Sequence, residues 1–307
     1  MLFRDDDMLE CNNSATIPRR VVVIGASGFI GSALIVRFQQ LNLNTLALSS
    51  KDINLIEEKS WMLLAELLRA DDTVIILSAI TPDKSSGISF VFQNIAIGNS
   101  ICLGVQKAKC AHVIYISSDA VYPFIDQEIT ELCKTESTSL YSAIHITREL
   151  MIRNAANMPI AIIRPTQVYG QSDTHNAYGP CRMINSAQHE RKITLFGNGE
   201  DTRDHIFIND LVELTVLIIF HQGRGTLNAA TGISISFQEL AKIIQNQFGE
   251  FIEIVNEQRK QPIYHRKFDI ENLISTFPSF SFTSLDKGIS IMCKEAFKQG
   301  QCIDYLN

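Results

Sequence analysis

The segment Gly25-Ala26-Ser27-Gly28-Phe29-Ile30-Gly31 has the form G-x-x-G-x-x-G. It directly follows the apolar run Val21-Val22-Val23-Ile24 and opens a stretch in which Phe29, Ile30, Ala33, Leu34, Phe38 and Leu41 recur at helical spacing. Glycines there let the backbone turn tightly and approach a pyrophosphate, while free N–H groups at the helix start bind its charge. A glycine triplet alone also serves tight turns and close helix–strand packing. The strand–turn–helix context makes it a dinucleotide-binding signal and points to Gly25, Ser27, Gly28, Phe29, Ile30 and Gly31 as cofactor residues. About twenty residues on, an NAD-preferring site carries a carboxylate for the ribose 2′-hydroxyl. Leu48-Ser49-Ser50-Lys51 stands there instead, without an acid at the strand end. Hydroxyls and an ammonium suit a 2′-phosphate, so of NAD(H) and NADP(H) the reading favours NADP(H), with Asp52 and Ile53 flanking the adenine.

These residues need a scaffold, and the hydrophobic pattern supplies one. Apolar runs predict strands over 21–24, 45–48, 73–77, 113–116 and 160–163. Amphipathic stretches predict helices over about 29–41, 56–68, 90–108 and 140–156. Strands alternating with helices imply right-handed crossovers, hence an α/β fold with a Rossmann-type, doubly wound parallel sheet covered on both faces. After Pro165 the pattern loosens and only short strand and helix candidates follow, as in a small C-terminal α/β substrate-binding cap. The expected layout is a loose polar tail over 1–18, a dinucleotide-binding core over 19–170 plus about 205–232, and a cap over 171–204 and 233–307.

Composition bounds the function. The 307 residues carry 27 basic and 33 acidic side chains, a net charge of −6, with 46% apolar residues. That composition is globular, and its acidity argues against nucleic acid or an anionic membrane as main partner. No uncharged apolar run approaches the ~18 residues of a spanning helix, and the N-terminus lacks the apolar core of a secretory signal. Seven scattered cysteines form no C-x-x-C pair, so they read as reduced thiols rather than a zinc or redox site. The histidines show no metal-ligand spacing, so no metal is expected. The expected setting is the cytoplasm.

Further motifs extend the signal. Tyr115-Ile116-Ser117-Ser118-Asp119-Ala120-Val121-Tyr122 precedes Tyr141 with its downstream Arg148-Glu149 pair. Then come Arg164-Pro165-Thr166-Gln167-Val168-Tyr169-Gly170, the run from Phe196 to His205, and Asn228-Ala229-Ala230-Thr231-Gly232. In this order, over residues 20–297, they resemble an extended short-chain dehydrogenase/reductase of the NAD(P)-dependent nucleotide-sugar epimerase, dehydratase and reductase branch. The short link from the second strand to Asp52-Ile53-Asn54-Leu55 is similar to dTDP-4-dehydrorhamnose reductases. The resemblance implies that Tyr141 is the general acid/base for a sugar oxygen, that Ser118 hydrogen-bonds the same oxygen, and that nicotinamide carries the hydride. It adds Ser78, Ala79, Ile80, Asn94, Ser117, Pro165, Thr166 and Val168 to the cofactor site, together with Tyr141 and His145. For a nucleotide-sugar substrate it implies Asp119, Asn176, Arg182 and Arg203, the last as a phosphate ligand or else a salt-bridge partner of Asp201, Asp204 or Asp210. A homodimer is also implied.

Two departures bear on the reaction. The family's Lys four residues after the Tyr is here His145. A phenol of pKa about 10 needs a nearby positive charge to act as a base near neutrality, and an unperturbed His is mostly neutral at pH 7. His145 either tunes Tyr141 or stands as a helix residue in a chain that has lost the chemistry. Ala120 occupies the place of the Glu that dehydratases and decarboxylases use, which leaves epimerases and 4-keto reductases. The expected function is therefore a nucleotide-sugar epimerase or 4-keto-sugar reductase in polysaccharide precursor synthesis. The alternative is a catalytically degenerate dinucleotide-binding regulatory or interaction protein.

Overall fold

The computed structural model describes residues 8–81, 87–155, 158–173, 179–249 and 251–298. The first half alternates β1 (Arg20–Ile24), α1 (Phe29–Gln40), β2 (Thr45–Leu48), α2 (Ser60–Leu67), β3 (Asp72–Ile76), α3 (Gly87–Ala108), β4 (His112–Ile116), α4 (Leu140–Ala155) and β5 (Ile160–Pro165). Then follow β6 (Gln167–Tyr169), α5 (Gly179–Glu190), β7 (Lys192–Phe196), β8 (Thr202–Phe207), α6 (Ile208–Phe220) and β9 (Gly225–Ala229). The chain continues through β10 (Ser234–Ser236), α7 (Phe237–Phe248), β11 (Glu253–Glu257), α8 (Glu271–Thr276) and α9 (Leu285–Lys298).

The main sheet is parallel, in the order β2-β1-β3-β4-β5-β9. Its strands are apolar on both faces because both are covered. Val22, Ile24, Val74, Ile76, Val113 and Tyr115 pack toward α2, α3 and α4. Val21, Val23, Ile75, Ile114 and Ile116 face the other way, into the cluster that includes α1 and α6. This is the doubly wound Rossmann-type fold that the alternating pattern predicts. The strand order reverses at β1, which lies between β2 and β3, so a crevice opens at the carboxyl ends of β1 and β3.

The cap is built from the sheet β10-β8-β6, the parallel pair β11-β7, and α5, α7 and α9. Its buried Met183, Ile184, Leu240, Ile244 and Ile289 belong to the same hydrophobic cluster as one face of the main sheet. β6 lies within the span 19–170 yet pairs in the cap sheet, while α6 and β9 join the main sheet layers. The helices after Pro165 are longer than the short candidates expected: α5 and α7 have 12 residues, α6 has 13 and α9 has 14.

Two other expectations are corrected. Residues 8–16 are not a loose tail. Glu10 and Arg224 exchange backbone hydrogen bonds of 2.8 and 2.9 Å, Asn12 N donates to His221 O, and Thr16 N donates to Phe220 O. This strap covers the open edge of β9, whose backbone groups would otherwise lack partners. Helix α3 is long and apolar enough to cross a membrane by length and composition, with a mean hydropathy of 1.5 over an 18-residue stretch, because its polar residues before Lys107 are uncharged Asn, Gln and Ser. Half of that stretch is buried, and Ile97, Ile101 and Val105 pack into the core.

A buried polar network ties the layers together. Arg164 of β5 donates from Nε and Nη2 to the two Glu149 oxygens of α4, at 3.1 and 2.6 Å. Ser117 Oγ, just beyond β4, donates to Glu149 Oε1 at 2.5 Å. Arg164 Nη1 reaches Tyr122 Oη, which donates to Asn228 Oδ1 of β9. Burial alone would lower the Arg164 pKa, but the hydrogen bond and charge of Glu149 outweigh it and raise it. Removing one partner of such a pair leaves the other charged and dry. Glu149→Ala should therefore cost about 3–5 kcal/mol of stability in urea unfolding; a loss within about 0.5 kcal/mol, typical of a surface change, would contradict this role.

Candidate active site

The cofactor crevice is shaped by absent side chains. A Cβ on Gly25 would lie 2.7 Å from Ser78 N, and one on Gly31 would lie 2.3 Å from Gly25 O. Gly25 also takes φ +100°, where L side chains are strained. The two strand-end loops thus abut with no room for a methyl. Helix α1 starts with Gly28 as N-cap, with no side-chain cap and no acid in its first turn. Its first-turn N–H groups, those of Phe29 and Ile30 included, therefore have no capping side chain, and the helix dipole favours an anion there. Ser27 is exposed beside them. Among the described residues the buried hydroxyls Ser78 Oγ and Thr81 Oγ1 lack partners, as hydroxyls awaiting a ligand would. A dinucleotide pyrophosphate fits this cradle.

The other expected cofactor residues divide by role. Ala79 and Ile80 continue the loop after β3, and Asn94 fixes it from α3. Asn94 is fully buried and brackets Ile80, accepting from its N–H and donating to its carbonyl, both at 3.1 Å. It therefore shapes the loop from behind. At the end of β2, Asp52 Oδ2 accepts from Ser49 N and Ser49 Oγ, and those bonds hold its carboxyl below the usual range. Ser50 and Lys51 are exposed on that turn, whereas the Ile53 side chain is buried in the core. The Ser117 hydroxyl is taken by Glu149, and that of Thr166 by Asp204 and Ala229 O. Pro165 ends β5 inside the sheet, and Val168 is half-buried on β6.

Ser118 sits past the carboxyl end of β4 and caps a 3-10 turn, Asp119–Val121. Its Oγ accepts from Ala120 N at 3.1 Å and donates to Asp119 Oδ1 at 3.5 Å. That turn packs on α4. Helix α4 begins with a reciprocal cap: Ser139 Oγ accepts from Ser142 N, and Ser142 Oγ accepts from Ser139 N. The cap places half-buried Tyr141 in the first turn, at the positive end of the helix dipole. His145 lies one turn on, with ring centroids 4.6 Å from those of Tyr141. It is 5% exposed, and its Nδ1 is 2.9 Å from Tyr115 Oη. Burial, then repulsion from Arg148, pushes its pKa down to about 3. Imidazole is therefore neutral at pH 7 and turned inward, away from the role of a charged lysine.

A cavity of about 1240 Å³ opens between α5, β7 and the segment after β11. Arg182 and Arg203 line it, while Asn176 lies outside the described residues. Arg203 donates to the carbonyls of Thr202 and Tyr264 and has no carboxylate partner among the described residues. Asp201 is bound by Arg259, Asp204 by Thr166 and Thr231, and Asp210 by Thr283. Arg203 thus keeps spare donors toward the cavity, and burial lowers its pKa. Asp119 is raised by burial, opposed by Arg266 and Arg203. Arg266 carries no sequence signal of its own: only the fold brings it from after β11 to donate to Asp119 O at 2.7 Å and Tyr122 O at 2.9 Å. Among the described residues no group of three His, Cys, Asp or Glu is placed to hold a metal.

Residues 21–230 match the family described as NAD dependent epimerase/dehydratase. The chain belongs to that family. Human dTDP-D-glucose 4,6-dehydratase is 24% identical over 273 residues, covering 79% of this chain and 76% of the relative. GDP-L-fucose synthase of Sinorhizobium fredii is 25% identical over 299 residues, covering 89% and 93%. The crystal structure of a GDP-L-fucose synthetase from Naegleria fowleri superposes with a TM-score of 0.80 at 18% identity, covering 98% of this chain and 99% of that one. At that identity the superposition shows the shared fold. The family is defined by its dependence on a nicotinamide dinucleotide, the ligand class the cradle fits.

His205 of β8 ends the motif run from Phe196, but the sequence assigned it no role. It is 5% exposed, neither ring nitrogen has a hydrogen-bond partner among the described residues, and burial, then Arg203, pushes its pKa down to about 3. Its folded pKa is below the unfolded value of about 6.5, so its contribution is present above about pH 6.5 and is lost as pH falls toward 3. Between pH 7 and pH 5 the wild-type chain should lose about 2 kcal/mol more stability than His205→Phe; identical losses in the two, by urea unfolding, would contradict a buried neutral imidazole.

Proposed function

We propose that this protein is an NAD(P)-dependent nucleotide-sugar epimerase or 4-keto-sugar reductase that serves polysaccharide precursor synthesis. One arrangement carries the reading. The dinucleotide cradle adjoins a carboxyl-end turn bearing Ser118, and that turn packs on the helix bearing Tyr141. A bound nicotinamide would supply or accept the hydride. Tyr141 would hold or release the proton of the sugar C4 oxygen, and the Ser118 hydroxyl would orient that oxygen. Arg203 and Arg182 would bind the diphosphate, where a bidentate guanidinium suits phosphate oxygens. Dehydration fits less well, although the human relative is a 4,6-dehydratase. Its elimination needs a second base, and the Ala120 methyl cannot provide one.

NADP(H) is the proposed cofactor. Asp52 is already committed to Ser49, and Ser50 and Lys51 are exposed at the end of β2, where a 2′-phosphate would lie. A homodimer is proposed on the exposed Ile88 and Phe92 of α3 with Leu150 of α4, 69%, 68% and 44% exposed.

His145 favours a second reading, that of a dinucleotide-binding protein without turnover. Its ring is neutral and bonded to Tyr115, so it provides none of the charge a catalytic phenol needs. The readings separate experimentally. Over a panel of nucleotide sugars and their 4-keto forms, Tyr141→Phe should lower kcat by about 10²–10⁴ with KM nearly unchanged. The kcat/KM profile should show no limb near pH 6.5, because His145 does not titrate there. Turnover undetectable in the wild type across that panel would favour the binding protein, and turnover unaffected by Tyr141→Phe would remove Tyr141 from the chemistry.

A further inference from the structure

Arg148 is the charge the site does not explain. It lies on α4, three residues after His145 and seven after Tyr141, and its side chain is completely buried. Among the described residues, none of its three guanidinium nitrogens has a hydrogen-bond acceptor. A guanidinium cannot relieve that burial by losing its proton, so the positive charge is permanent. The neighbouring acid does not neutralise it, because both Glu149 oxygens are held by Arg164 and Ser117. From β4, Tyr115 presents its ring face, with the Arg148 Cζ 5.3 Å from the centroid. From α3, Cys102 feels the Arg148 charge, but burial holds that thiol at about 11, so it stays protonated. The space for the side chain comes from α3 as well: a Cβ on Gly98 would sit 3.4 Å from Arg148 Cγ.

The direction of the side chain matters. Side chains on a helix lean toward its N-terminus, so residues 141, 145 and 148 share one face and Arg148 points back along it. Tyr115 and His145 both feel the Arg148 charge, and Tyr115 is also coupled to Tyr141. Arg148, Tyr115, His145 and Tyr141 therefore form one buried chain of contacts leading to the half-buried phenol. An unpaired cation in a low-dielectric interior favours whichever nearby group can become an anion. Cys102 and Tyr115 are held neutral by burial, and His145 can only become a cation. Glu149, whose charge opposes that of Arg148 at Tyr115, has both oxygens bound by Arg164 and Ser117, which leaves Tyr141 as the group on this face that can become an anion.

We infer that Arg148 is a positioning residue whose fixed charge, delivered through the Tyr115–His145 pair, favours the ionised form of the Tyr141 phenol. The charge absent at residue 145 is thus present one turn further along the same helix face. The unpaired guanidinium would be kept because a phenolate at Tyr141 offsets it. This inference rests on the Tyr141 acid/base reading for its use in catalysis, but its electrostatic content stands apart from any substrate.

The test is the titration of Tyr141 in the full chain labelled with ¹³Cζ-tyrosine, its signal assigned by its absence in Tyr141→Phe. Arg148→Met keeps the length of the side chain and removes the charge; Arg148→Lys restores a charge. The Tyr141 midpoint should rise by about one pH unit or more in Arg148→Met and return toward the wild-type value in Arg148→Lys. The alkaline shift should appear equally in the pH profile of kcat, with KM little changed. A midpoint the same in all three proteins overturns the inference. So does a wild-type midpoint at or above the ordinary phenol value of about 10, which needs no variant to fold. If the midpoint follows the charge at residue 148 while no nucleotide sugar is turned over, the catalytic reading fails and the inference about Arg148 stands.

Discussion

The bidentate pair between Glu149 and Arg164 is the interaction on which the site depends. It joins α4 to β5, and through Ser117 it fixes the backbone just beyond β4. Those two places carry the residues proposed for chemistry, Tyr141 on α4 and Ser118 beside Ser117. A buried ion pair adds little net stability compared with apolar packing, but its hydrogen bonds are directional and tolerate no slippage. The network continues through Tyr122 to Asn228 of β9, so three strands and one helix share a single register. Relative placement of the phenol and the hydroxyl follows from this polar core more than from the hydrophobic clusters around it.

The cofactor crevice obeys the opposite logic, in which space and unbonded backbone are kept rather than filled. Gly25 and Gly31 remove side chains where two strand-end loops meet, and α1 begins without a capping side chain. Each feature would weaken an ordinary turn or helix start. Together they leave first-turn N–H groups and two hydroxyls, Ser78 and Thr81, for a ligand with many acceptors. The reversal of strand order at β1 explains why this is where the crevice lies.

Local patterns made the parallel core readable from the sequence. Continuous apolar strands and a glycine turn between β1 and α1 are signals that depend on few neighbours. The cap was harder to read because its helices mix apolar and polar positions, as in Met183 and Ile184 beside Arg182 and Asn185 of α5. The strap over 8–16 is polar in sequence, and only the open edge of β9 gives it a place. Among site residues, Gly25, Gly31 and Tyr141 carry motif signals. Arg266 does not, because its role comes from which distant elements the fold brings against it; Asn94, Arg148 and His205 stand in or beside the motifs, but the burial and contacts that define them are tertiary. The sequence also placed His145 beside Tyr141, but the burial and the bond to Tyr115 that make its ring neutral are tertiary facts.

The central claim is that the glycine cradle holds a nicotinamide dinucleotide next to Ser118 and Tyr141. The most direct measurement is to denature the purified protein, quantify the nicotinamide dinucleotide released, and titrate any empty protein with NAD(H) and NADP(H). The account predicts one dinucleotide per chain, either carried through purification, as an epimerase that retains its cofactor would, or taken up reversibly as NADPH, as a reductase would. A protein that purifies empty and binds neither dinucleotide would contradict it, and would leave residues 25–31 as a turn that only packs helix against strand.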